Sequence, residues 1–131
     1  MNLPVFDLHC DTASLLAENR ELSLLENPLH IDLERAGALP GYTQCFACFT
    51  TTEDCTNPLL EFERQLYGLM AHLEKNKDVI AQAFSPEDVD KNYKKGLMSA
   101  IFTLEGPAGI GFDPELLQEL YTVGFSPGFA H

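Results

Sequence analysis

Apolar residues along the chain gather in three runs, with stripes at helical spacing between them. Val5 to His9 is a short apolar run directly behind Pro4, and it is predicted as a buried strand. Tyr42 to Thr50 is a second run, rich in aromatics and continuous rather than alternating, as expected for a strand covered on both faces. Leu97 to Leu104, Leu-Met-Ser-Ala-Ile-Phe-Thr-Leu, is the third.

Between the runs the period changes from that of strands to that of helices. Leu59, Phe62, Leu66, Leu69, Met70 and Leu73 form one stripe at helical spacing, so a long amphipathic helix is predicted from Asn57-Pro58 to near Asn76. Ser85-Pro86-Glu87-Asp88 offers an N-cap, a proline at the first helical position and an acid at the third, which predicts a helix to Lys95 stopped by Gly96. Asp113-Pro114-Glu115 opens another, expected to run to Val123 with Gly124 just past its end. Thr12 to Ala17 and Ile31 to Ala38 predict shorter helical pieces.

Strand and helix thus alternate three times, the rhythm of an α/β fold with a parallel sheet and right-handed crossovers. A length of 131 residues suits one domain, residues 1–131, with no second domain and no internal repeat. A closed eight-stranded barrel needs about 250 residues. Three βα units are therefore expected to be an incomplete (β/α) barrel, whose unpaired sheet edges and open inner face would favour a homo-oligomer.

Charge narrows the partners. The formal net charge of -12 repels phosphate backbones and anionic lipid, so neither nucleic acid nor a membrane surface is an expected partner. The N-terminus lacks the layout of a signal peptide, and no apolar run approaches the roughly 20 residues of a membrane-spanning helix, so the expected compartment is the cytoplasm. Cys10, Cys45, Cys48 and Cys55 are irregularly spaced and read as free thiols. Cys45 and Cys48 form a nominal CxxC, but in a strand residues three apart face opposite sides, which argues against a shared metal or redox site.

The candidate chemistry lies at strand ends. His9 and Asp11 are two apart at the carboxyl end of the first strand, on one face, where an imidazole and a carboxylate can hold the same divalent ion. Alone, the pair favours a plainer reading, with Asp11 capping the next helix and His9 satisfied in the core. Glu105 follows the third strand and would project into the same mouth, with two oxygens able to bridge two ions. Asp7 is expected on the face of His9, one layer deeper, either orienting a ligand or closing a buried hydrogen bond. His30 in a loop and His72 on the long helix are expected at the surface.

Asp7-x-His9-x-Asp11-Thr12, Gln44 near the start of the second strand, and Leu104-Glu105-Gly106 together resemble the membrane (renal-type) dipeptidase family of zinc peptidases. That resemblance implies a TIM-type (β/α)8 barrel of the metal-dependent hydrolase superfamily, two zinc ions (Zn2+), and hydrolysis of a dipeptide substrate by a metal-activated water. By motif, His9 and Asp11 would ligate the first zinc, and Glu105 would bridge both as the catalytic carboxylate. Other amidohydrolases usually open with His-x-His, and Asp11 departs from that pattern.

The family's further histidines, aspartate and arginine come from later strands and have no counterpart here. In the tail Gly124 to His131, Pro127 and Gly128 break the expected fourth strand, and His131 is about one residue out of register, so it receives no role. The expectation is a dipeptidase represented by its N-terminal part and inactive alone. The alternative is a non-catalytic α/β domain that self-associates and keeps a partial metal site.

Overall fold

The computed structural model describes residues 3–53, 55–122 and 125–126. Along the chain come β1 (Val5–Cys10), α1 (Thr12–Glu18), α2 (Leu33–Ala36), β2 (Tyr42–Phe49), α3 (Pro58–Lys75), β3 (Ile80–Gln82), α4 (Pro86–Lys94), β4 (Met98–Glu105), a 3-10 turn at Ala108–Ile110, α5 (Pro114–Thr122) and β5 (Phe125–Ser126). Every pairing in the sheet is parallel. β2 lies between β1 and β4, while β3 and then β5 occupy the other edge of β4, at Met98–Ala100 and Phe102–Thr103.

The three expected strands are therefore joined by two shorter ones. β3 leaves no signal in the sequence because Ile80-Ala81-Gln82 is too short to show any period; its pairing with β4, not its own pattern, makes it a strand. The predicted end of the last helix at Val123 and Gly124, and the tail from Pro127 to His131, lie outside the described residues.

Helix ends follow the capping chemistry. The Asn57 side chain accepts the Leu60 N–H and the Ser85 side chain accepts the Asp88 N–H, each with proline in the first helical turn. Gly96, at φ 75, supplies the left-handed turn that ends α4 and starts β4.

One face of the sheet is packed against helices. Phe46, Cys48, Ala100, Phe102 and Leu104 meet Ala13 and Leu16 of α1 and Phe62, Leu66, Leu69 and Leu73 of α3 in a single core. Burial of such side chains stabilises by roughly 1.5–3 kcal/mol each. The expected α3 stripe shifts slightly: Leu59 and Met70 are exposed, whereas Gln65 is buried.

β1 departs from the expected buried strand. Phe6 is 52% and Leu8 57% exposed, and only Cys10 is buried. Among the described residues β1 pairs with β2 alone, so one edge stays open, and the face opposite the helices is covered only in part. α4 closes the lower end of that face, where Asn92 Nδ2 donates to Ser99 Oγ at 3.0 Å and Tyr93 packs over Gly41.

Candidate metal centre

All three donors singled out in the sequence meet at the carboxyl end of the sheet. His9 stands near the end of β1, Asp11 at the N-cap position of α1, and Glu105 at the last residue of β4. His9 Nε2 is 3.1 Å from Asp11 Oδ1 and 3.4 Å from Glu105 Oε2. One ligand atom from each of the three lies within 4.8 Å of the others.

A bulge makes this possible. Asp7 pairs with Gln44 and Cys10 with Phe46, so β1 spends three steps where β2 spends two. The extra residue resets the alternation: Cys10 turns into the helix-covered core and His9 to the opposite face, the face of Glu105. Asp7 therefore does not share the face of His9 as simple alternation predicts. It acts locally instead, its Oδ1 accepting the His9 backbone N–H at 3.0 Å.

The plainer readings of the pair do not describe what is present. Asp11 occupies the N-cap of α1 but caps nothing with its side chain, which points at His9. His9 is 43% exposed rather than satisfied in the core. Glu105 Oε2 is buried and accepts no hydrogen bond, although its residue is held at a strand end and followed by Gly106 at φ 79.

A buried carboxylate oxygen without a donor is costly unless a cation answers it. An imidazole nitrogen and two carboxylates converging on one point are a donor set for a borderline divalent ion such as zinc. The residues present thus fit a metal, with Glu105 Oε2 buried and free of any hydrogen bond on the side of His9.

The other candidates do not join them. Cys45 and Cys48 point to opposite faces; burial pushes the Cys45 thiol up to about 11 and the Cys48 thiol up to about 12, with the negative charge of neighbouring groups adding to both. Burial also raises Cys10, so none of the three is poised as a thiolate. His30 is exposed in its loop. His72 is half-buried, and burial followed by the nearby Lys75 charge lowers its pKa. It lines a groove of about 630 Å³ between α1 and α3 that contains none of the three donors. His131 lies outside the described residues.

One residue of consequence was not singled out in the sequence. Gln65, buried in α3, donates to the Phe49 carbonyl at 2.7 Å and accepts the Phe49 N–H at 3.0 Å, where β2 runs beside Glu105. Its position on the apolar face of a helix was the available signal.

Comparison with known proteins shows the family and the fold. Residues 1–126 match the family model described as membrane dipeptidase, peptidase family M19. A search of curated proteins finds no match. Among solved structures, a metallo peptidase from Rhodobacter sphaeroides, liganded with a phosphinate mimic of the dipeptide L-Ala-D-Ala, superposes with TM-score 0.78 at 18% identity over 95% of this chain and 44% of its own. A metallo peptidase of family M19 named dipeptidase AC gives 0.74 at 17% identity over 97% of this chain and 44% of its own. The probable dipeptidase PvdM from Pseudomonas aeruginosa gives 0.70 at 18% identity, covering 94% and 33%. The chain spans less than half the length of each of these structures.

Proposed function

Because the chain belongs to the membrane dipeptidase family, peptidase family M19, we propose that it carries the first part of the metal centre of a zinc-dependent dipeptidase. The observation that carries this reading is the convergence of His9, Asp11 and Glu105 within 4.8 Å, with a buried Glu105 oxygen that accepts no hydrogen bond and has His9 Nε2 at 3.4 Å. His9 and Asp11 would hold one zinc, and Glu105 would reach both that ion and a second.

Zinc bound there supplies Lewis acidity toward water and a peptide carbonyl. The chain's own residues present the ions. His9 offers Nε2 from a strand whose bulge turns it toward Glu105. Asp11 contributes a carboxylate freed from helix capping. Glu105, anchored at the end of β4, contributes the second carboxylate.

The substrate class we assign is the dipeptide. With the imidazole and both carboxylates of the cluster committed to metal, no further group among its described residues is left to bind a substrate carboxylate or move a proton, so the 131-residue chain by itself is proposed to be inactive. No helix among the described residues is long and apolar enough to cross a membrane.

A second reading, a non-catalytic domain that self-associates, draws on the exposed Phe6 and Leu8 of β1, whose other edge is open among the described residues, and on the exposed Phe49 at the end of β2. Sedimentation across a range of concentrations separates the two: a monomer at all concentrations removes the second reading.

The metal assignment is tested by zinc titration calorimetry of the parent chain and of His9→Ala and Glu105→Ala. Loss of binding in both variants supports it. Equal affinity in parent and variants sinks it.

A further inference from the structure

β1 stops pairing with β2 at Cys10 and Phe46, three residues short of the end of β2 at Phe49. Beyond that point, among the described residues, the edge of β2 that faced β1 has no strand to receive its backbone groups. Gln65 fills the gap. Its Oε1 accepts the Phe49 N–H at 3.0 Å and its Nε2 donates to the Phe49 carbonyl at 2.7 Å, so a side-chain amide takes the place of a neighbouring strand's peptide.

The other edge of Phe49 is in register with Glu105. Whatever fixes Phe49 therefore fixes the rung that presents the Glu105 carboxylate. One turn earlier on the same helix, Phe62 receives Gly109, four residues after Glu105, so closely that a Cβ there would stand 2.8 Å from the Phe62 Cβ. α3 thus grips the end of β2 through Gln65 and the segment after β4 through Phe62.

We infer that Gln65 is a positioning residue of the metal centre: it locks the last rung of the β2 and β4 ladder, and through that rung holds Glu105 against His9. The inference rests on the proposed metal site for its purpose, though not for its geometry. Among the described residues the Gln65 amide bonds Phe49 and, at 3.5 Å, Glu61 rather than any of the three metal donors, so Gln65 acts through Phe49.

The test compares Gln65→Met, which keeps length and burial but loses both hydrogen bonds, with Leu69→Ala, which opens the core one turn further along the same helix. Zinc titration of the full chain is expected to show a Kd about tenfold weaker in Gln65→Met, as when a partner behind a metal ligand is removed, and close to the parent's in Leu69→Ala. Equal Kd values in parent and Gln65→Met overturn the inference.

Amide hydrogen exchange on the metal-free chain decides the matter independently. Exchange at Glu105 is expected to quicken about tenfold in Gln65→Met, with Thr43 and Gln44 at the other end of β2 unchanged. Unchanged exchange at Glu105, or equal acceleration at all three positions, overturns it. If the parent binds no zinc, the metal reading fails while the exchange result still decides the role of Gln65. If Gln65→Met does not fold, Gln65→Glu, which keeps the acceptor and loses the donor, is read by the same two measurements.

Discussion

His9 Nε2 stands 3.4 Å from Glu105 Oε2 although β1 and β4 are not neighbours and β2 runs between them. The imidazole reaches across the mouth of β2 because one extra residue between Asp7 and Cys10 turns it out of the core face. The contact is thus a product of local backbone geometry as much as of sheet order.

That dependence predicts a role for Asp7, whose carboxylate holds the His9 N–H inside the bulge. Asp7→Ala is expected to weaken zinc binding roughly tenfold, as loss of a residue behind a ligand does, whereas Asp7→Asn, which keeps the acceptor oxygen, retains most of it. Calorimetry on the two variants checks this, and equal losses in both would remove the hydrogen bond from the account.

Gly109 packs where no side chain fits. A Cβ there would come within 2.8 Å of both the Phe62 Cβ and the Thr50 Oγ1, and both neighbours are buried. Gly109→Ala is therefore expected to cost about 1–3 kcal/mol through overpacking. Urea denaturation measures it; a variant as stable as the parent shows that the 3-10 turn can move away from α3.

The strands that position the site were readable because each has a run of apolar residues long enough to outweigh local noise. His9, Asp11 and Glu105 were readable because each falls where such a run ends. The bulge is not, since alternation carries no record of a skipped pairing and so puts Asp7 on the face of His9, where the register does not. β3 is too short to show a pattern, and the exposure of β1 depends on its pairing with β2 alone among the described residues rather than on its own sequence. Gln65 looked like a polar interruption in an apolar stripe; its burial follows from the unpaired end of β2, a tertiary fact.

The loop before β2 carries its own pH response. Burial raises the Asp32 pKa, but the backbone N–H groups of Arg35 and Asn27 and the Arg35 guanidinium outweigh it and hold the carboxyl below its ordinary value. A depressed carboxyl stabilises the fold above its unfolded pKa, near about 4, and that contribution is lost as pH falls through the folded value. The stability gap between parent and Asp32→Asn should therefore narrow as pH drops below about 4. Thermal melts from neutral to acid pH follow it; a gap that stays constant throughout contradicts the assignment.

The purified 131-residue chain is expected to show no chelator-sensitive hydrolysis of a simple dipeptide, even with zinc added, because its donor cluster comprises His9, Asp11 and Glu105, with no accompanying group for substrate or proton among the described residues of the cluster. An assay of free amino acid release decides this. Turnover abolished by a chelator would show that these residues suffice for catalysis.

The central claim is that the three donors hold one ion between them, and the most direct measurement is anomalous diffraction at the zinc edge from crystals of the chain grown with zinc. The account predicts a peak at zinc-ligand distance, about 2.0–2.2 Å, from His9 Nε2 and from carboxylate oxygens of Asp11 and Glu105. A peak elsewhere, with His9 and Glu105 still in contact and no ion between them, would contradict it.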